Sequence, residues 1–177
     1  MNSKTKTTLW QIIGFIFTSL LGVLLHFLHE WTNNSKIVAL FSSVNESTWE
    51  HIKILFVPLF VFAIIQSRYF KEYKSFWCVK LVGTVMGMLL IPILFYTLNG
   101  AFGKTPDWVN IGIYFVSAAD VFFMEYMLFK RESLNCRYSK LSLLGLCVIA
   151  VIFIYFTFCP PELPLFIDPV TQTYGAL

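Results

Sequence analysis

Residues 9–30 read LWQIIGFIFTSLLGVLLHFLHE, and Glu30 is the only charged side chain in that run. A helix rises 1.5 Å per residue, so about 20 apolar residues cross the hydrocarbon core of a bilayer. Lipid offers no hydrogen bonds to the backbone, and a spanning segment of this kind must therefore be helical. The stretch predicts a membrane-spanning α-helix. It is longer than the apolar region of a signal peptide and no small-residue cleavage site follows it, so we expect it to be retained.

Similar apolar runs recur along the chain. The five predicted spans are residues 9–30, 51–69, 76–98, 109–129 and 141–159, with an outer connection at 31–50 and an outer tail at 160–177. The pattern predicts an all-α fold, a polytopic bundle of five transmembrane helices in a single domain covering residues 1–177.

The composition excludes several classes of protein. The 177 residues are 57% hydrophobic and only 13% charged, whereas soluble domains are about 25% charged. The net charge of +3 is modest and no basic stripe is present, which argues against nucleic acid as a partner. A soluble enzyme and a disordered chain are also excluded. We expect a multi-pass protein of the cell (cytoplasmic) membrane, with the lipid bilayer as its surroundings.

The distribution of Lys and Arg predicts the orientation, since cytoplasmic loops carry the excess of basic residues. One side of the predicted bundle holds ten of them and the other side three. The ten are Lys4, Lys6, Arg68, Lys71, Lys74, Lys80, Lys130, Arg131, Arg137 and Lys140, and the three are Lys36, Lys53 and Lys104. The N-terminus is therefore predicted inside and the C-terminal tail outside.

Histidines and acids concentrate on the predicted outer side. The first span ends in HFLHEW and the second begins after SSVNESTWEH. All three histidines and six of the ten acids lie there, the acids being Glu30, Glu46, Glu50, Asp107, Glu162 and Asp168. Taken separately, HFLHEW would be explained as polar and aromatic residues at the membrane–water interface. SSVNESTWEH would be explained as a capping box, with Asn45 or Ser47 as N-cap and Glu50 in the first turn. Together the fragments favour a divalent-cation site.

The hypothesis assigns roles within this outer cluster. His26, His51, Glu46 and Asp168 are the candidate metal ligands, and zinc is the metal such ligands suggest. Glu50 or Glu30 would serve as general base if a metal-bound water reacts. We predict that His26, Glu30, Glu46, Glu50, His51 and Asp168 converge on one pocket below the tail, which we expect to cap the outer helix ends.

Three charged residues lie at least four positions from either end of a predicted span, where charge is costly. Lys80 and Glu125 are each about four residues from the inner ends of adjacent spans, so they lie at equal depth, about 6 Å in. A structural ion pair is the favoured interpretation, with a proton or ion path as the alternative. Asp120 lies at the centre of the fourth span. It would form the floor of the outer pocket, or else be a packed, protonated acid.

The four cysteines form no C-x-x-C motif, so they support neither a zinc nor a redox motif. They are Cys78, Cys136, Cys147 and Cys159. We expect them to be small packing residues.

Two strings and the tail carry a resemblance. HFLHEW, IVALFSSVNESTWEHIK and PPELPLFIDPVTQTYG resemble an uncharacterised family of small bacterial multi-span proteins, classified as a domain of unknown function. The resemblance covers nearly the whole chain. Gln172 stands where the family pattern has Gly, and His29 where an aromatic is expected, which makes His29 the weakest ligand candidate. The resemblance implies the same topology and a single unit formed by the two strings and the tail, and it implies no activity.

Two functions follow from these observations. The first is an integral membrane protein whose polar outer site binds a small ligand or ion, or which serves as a subunit beside a membrane partner or in a homo-oligomer. The alternative is a membrane-embedded, zinc-type hydrolase that acts at the outer leaflet. The sequence leaves open whether the protein is an enzyme.

Overall fold

The computed structural model describes residues 3–131 and 136–176. Its helices are α1 (Ser3–Trp31), α2 (Lys36–Ala39), α3 (Thr48–Ser67), α4 (Phe76–Phe102), α5 (Asp107–Arg131) and α6 (Ser139–Phe158). All except α2 are long and apolar enough to cross a membrane. The predicted all-α fold with five spanning helices is confirmed, with helix ends that differ from the predicted ones by up to six residues. The orientation of the termini stays a prediction.

Helix α3 lies at the centre of the bundle and packs against α1, α4 and α6. Beyond its first two turns, which carry Glu50, His51 and Lys53, its sequence is apolar on every face up to Gln66, as expected for a helix surrounded by others. Phe56 of α3 lies 5.2 Å from Phe153 of α6 between ring centroids, and Phe62 lies 6.0 Å from Phe122 of α5. The core is therefore built on large aromatic contacts from one central helix.

Helices α1 and α5 approach closely at Gly22. A Cβ atom at this position would lie 1.7 Å from the Tyr114 hydroxyl oxygen, so only glycine fits without rearrangement. The same hydroxyl donates a hydrogen bond of 2.9 Å to the carbonyl of Thr18. This contact fixes the upper part of α1, and His26 lies one helical turn above it.

The tail covers the end of the bundle at which α3 begins and α6 ends, as predicted. Trp49 donates a backbone hydrogen bond to the carbonyl of Leu165, 3.0 Å, and Ala176 donates one to Thr157, 3.0 Å. The Asn45 amide donates to the carbonyl of Gly175 at 3.2 Å. The tail is therefore bound to the outer connection, to α3 and to α6.

One disulfide bond contradicts the cysteine prediction. Cys78 at the start of α4 is bonded to Cys136, in the segment that precedes α6, and their Cα atoms are 6.4 Å apart. Cys147 and Cys159 are free and exposed. The prediction that the cysteines are simply small packing residues is wrong for Cys78 and Cys136. Their separation of 58 residues carries no recognisable motif.

Candidate metal site

Three side chains from the outer cluster meet between α1 and the start of α3. His26 Nε2 lies 3.5 Å from Glu46 Oε1, and His51 Nε2 lies 3.7 Å from Glu46 Oε2. The two imidazole rings are 5.5 Å apart between centroids. We call His26, Glu46 and His51 the outer triad.

The outer triad has the dimensions of a metal site. One ligand atom from each residue can be chosen so that all three lie within 4.8 Å of one another. Metal–ligand bonds of about 2.0–2.1 Å put tetrahedral ligands about 3.3 Å apart, so both contacts to Glu46 are already close to that spacing. The side chains of His26 and His51 are about one quarter exposed, and that of Glu46 about one half. A fourth coordination position would therefore face water.

A backbone hydrogen bond orients His51 within the outer triad. Its Nδ1 donates a hydrogen bond of 2.9 Å to the carbonyl of Ser47, one turn earlier on α3. A proton held on Nδ1 leaves Nε2, the nitrogen that faces Glu46, with its lone pair free. Ser47 is also the N-cap of α3, because its side chain accepts a hydrogen bond from the backbone of Glu50. The capping turn thus fixes both the start of α3 and the orientation of the His51 ring.

A fully buried ion pair lies directly behind the outer triad. Lys53 Nζ is 2.6 Å from Glu50 Oε2, and both side chains are at most 2% exposed. Lys53 also donates to the carbonyl of Ala39 at 3.1 Å and to Thr157 Oγ1 at 2.8 Å. The Glu50 carboxylate accepts a further hydrogen bond from the backbone N–H of Val44, 3.0 Å. These bonds join the outer connection to α3 and α6 and hold Glu46 in front of the histidines.

Three of the predicted site residues lie outside the outer triad. Glu50 is bound to Lys53, and Glu30 is exposed at the end of α1. The Asp168 carboxylate accepts hydrogen bonds from the Val170 backbone, 2.8 Å, and from Thr171 Oγ1, 2.7 Å. It therefore stabilises a turn within the tail. Of the six side chains predicted to converge, the structure brings three into one cluster of potential ligands.

The three charged residues predicted inside the membrane, Lys80, Glu125 and Asp120, are not part of the outer triad. Lys80 and Glu125 are in contact, 2.6 Å apart, and both are buried. Asp120 is half-buried on α5 and makes no hydrogen bond or ion pair with any residue that the structure describes. It does not reach the outer triad, whose members come from α1, the outer connection and α3.

A comparison with protein-family models identifies the family to which the chain belongs. A model described as a family of unknown function, DUF6512, matches residues 1–176. The chain belongs to this family. No curated protein and no solved structure matches it. The resemblance to a domain of unknown function is therefore confirmed, and membership of DUF6512 brings no assigned chemistry with it.

One structural feature of this DUF6512 chain, the buried position of Lys53, is not predicted from the sequence. Lys53 counts as an outer basic residue in the charge bias, yet it is fully buried and bound to three groups. The signal that could have found it is its spacing of three residues from Glu50, which places both on one face of a helix.

Proposed function

We propose that the protein is a multi-pass protein of the cell membrane that binds a divalent transition-metal ion, zinc in the first instance, at the outer triad. The observation that carries the proposal is the convergence of two imidazole nitrogens and one carboxylate from three separate segments. Two histidines and one carboxylate are a ligand set that zinc uses when a fourth position is left for water or substrate.

The surroundings of the outer triad support this function. The hydrogen bond from His51 Nδ1 to Ser47 is the outer-shell contact that ligating imidazoles usually make. The half-exposed Glu46 lets an ion enter from water without opening the bundle. Glu46 also adds a carboxylate oxygen to two imidazole nitrogens, a donor set that suits a divalent transition-metal ion.

The same geometry favours metal binding over the zinc-type hydrolase. A hydrolase of this kind needs a general base beside the metal-bound water. Glu50 is the first candidate, and its carboxylate is bound by Lys53 and Val44. The second candidate, Glu30, is exposed at the end of α1 and is not among the ligand atoms of the triad.

The test is elemental analysis of the full chain, purified in detergent and incubated with Zn²⁺ before desalting. We expect about one zinc ion per chain in the wild type and a loss of at least tenfold in zinc affinity in His51→Ala and in Glu46→Gln. His29→Ala and Glu30→Gln are the matched controls, because they alter a histidine and an acid of the same outer region outside the triad. Both controls should retain the metal.

Two results would refute the proposal. One is a wild-type protein that holds no zinc or other first-row transition metal after such loading. The other is equal metal retention in His51→Ala and His29→Ala, which would mean that the ions bind elsewhere.

A further inference from the structure

Asp120 lies at the middle of α5 without a partner. It is the fourteenth of the 25 residues from Asp107 to Arg131, so each end of the helix is roughly 16–20 Å away along the axis. Its side chain is only partly covered and makes no hydrogen bond or ion pair with a residue that the structure describes. The hydroxyl of Ser117, three residues earlier, also lacks a partner and so does not bond to it. A charged side chain at this depth is costly and is normally paired, so the missing partner of Asp120 requires an explanation.

Two buried acids of the bundle show how this chain neutralises such a charge. Glu125 lies 2.6 Å from Lys80 Nζ, and Glu50 lies 2.6 Å from Lys53 Nζ. The other eleven of the 13 Lys and Arg residues lie in connections, or within the first four or last two residues of a helix. Within residues 3–131 and 136–176, no unpaired basic residue therefore lies near the middle of a span. A second copy of the chain would offer Asp120 none either.

The surface beside Asp120 has the form of a helix-docking face. Four exposed residues of α5 are spaced by four, three and four positions, which places them in one line along the helix; we call Gly112, Val116, Ala119 and Phe123 the α5 seam. Val116 is 54% exposed and Phe123 60%, so no helix that the structure describes covers this line. A Cβ atom at Gly112 would meet no atom of the described residues within 4 Å, and packing within the chain does not require glycine there. Asp120, four residues after Val116 and three before Phe123, borders the α5 seam.

We infer that the α5 seam is the docking surface for a membrane-spanning helix of another protein, which carries Lys or Arg at mid-depth opposite Asp120. Opposite charges attract more strongly in the low dielectric of the membrane than in water, and the pair relieves the cost of an isolated charge in hydrocarbon. Gly112 and Ala119 let the backbone of the partner approach closely, as small residues do between membrane helices. Charge complementarity at Asp120 selects a basic partner among apolar helices. The inference does not depend on a metal at the outer triad.

The test measures the association of the full chain with two synthetic transmembrane helices in phosphatidylcholine vesicles. Both peptides consist of leucine and alanine, and they differ only in the central residue, which is lysine in one and leucine in the other. Energy transfer between a fluorophore on the chain and one on the peptide reports binding. We expect the lysine peptide to bind the wild-type chain more tightly than the leucine peptide by about tenfold or more, because binding pairs two charges that are costly in hydrocarbon.

Three variants locate the contact. Asp120→Asn should abolish the preference for the lysine peptide, whereas Asp107→Asn, which alters an exposed acid at the start of the same helix, should keep it. Gly112→Ile has room on the free chain and should weaken binding of the lysine peptide by about tenfold or more, because its side chain holds the two helices apart. Asp120→Asn should unfold at the wild-type temperature, since Asp120 has no partner to lose within the described residues.

The outcomes separate a basic partner from other occupants of the surface. Equal binding of the two peptides by the wild type, or a preference that persists in Asp120→Asn, would overturn the inference, because Asp120 would then select nothing. Energy transfer between differently labelled copies of the chain, present without peptide and lost in Asp120→Asn, would make a second copy the occupant and overturn the assigned partner. A clearly lower unfolding temperature of Asp120→Asn would mean that Asp120 serves the fold of the chain itself.

Discussion

The Glu50–Lys53 pair should show strong energetic coupling, because each partner is buried where no water can replace the other. Lys53→Met removes the ammonium and leaves the Glu50 carboxylate with only the Val44 N–H as a partner. Loss of one partner of a buried ion pair costs about 3–5 kcal/mol. Glu50→Gln should cost a similar amount, because it leaves the Lys53 ammonium with two neutral acceptors.

The double variant Glu50→Gln/Lys53→Met distinguishes coupling from independent damage. No charge remains buried in it, and the amide oxygen introduced by Glu50→Gln can still accept the hydrogen bond from Val44. The carbonyl of Ala39 loses its donor, at about 1–3 kcal/mol, whereas Thr157 Oγ1 keeps its bond to the carbonyl of Phe153. The double variant should therefore lose about 1–3 kcal/mol, far less than the sum of about 6–10 kcal/mol for the single variants.

The assay is reversible unfolding of the four proteins in mixed micelles, followed by circular dichroism, with the free energy of unfolding compared in a double-mutant cycle. A matched cycle on the exposed Lys6–Glu72 pair should give a coupling of at most about 1 kcal/mol. Additive losses at Glu50 and Lys53, within about 0.5 kcal/mol, would refute the reasoning, since they would mean that neither side chain depends on the other.

Three further predictions rest on a close helix contact, an exposed ion pair and the charge bias. Gly22→Ala should reduce the free energy of unfolding by about 1–3 kcal/mol, because its Cβ would overlap the Tyr114 hydroxyl; equal unfolding curves for variant and wild type would contradict this. The Lys6 ammonium, through its hydrogen bond, lowers the pKa of Glu72 below its ordinary value of 4.5. The stability from this pair is therefore present above pH 4.5 and is lost as the pH falls through the lowered pKa. Glu72→Gln should lower the melting temperature slightly at about pH 7, and the difference from the wild type should disappear once the pH is below that lowered pKa. A reporter enzyme fused after Leu177 should be active only on the outer side of the membrane, as the Lys and Arg bias predicts, and activity on the inner side would reverse the orientation.

The sequence predicts most of the fold because membrane spans depend on long apolar runs, and those are visible without tertiary information. It also predicts how deep a residue lies in the membrane, because the rise per residue of a helix is constant. Equal depth is enough to predict the contact between Lys80 and Glu125. Position around the helix axis and the path of a connection depend on packing, which one sequence does not reveal. Glu50 and His51 are neighbours in the chain, yet His51 faces Glu46 while Glu50 turns to Lys53.

The difference between local pattern and tertiary packing also explains why the predictions for Asp168 and for the cysteines differ from the structure. Asp168 follows an apolar stretch and precedes Pro169, so a turn is predictable, but its hydrogen bond to Thr171 depends on how the tail closes on itself. The Cys78–Cys136 bond joins residues separated by two spans. Contacts of that kind arise from the arrangement of whole helices, and no local spacing rule encodes them.

The hydrogen bonds made by the tail impose an order of events during biosynthesis. Residues 160–176 follow α6, so the ribosome synthesises them after all the helices described above. Asn45 and Trp49 acquire their partners Gly175 and Leu165 only at that stage. Until then the outer connection lacks these two attachments, and Glu46 lies inside that connection. The outer triad therefore reaches its final arrangement only after the tail has been synthesised, and the metal binding proposed for it would follow that stage.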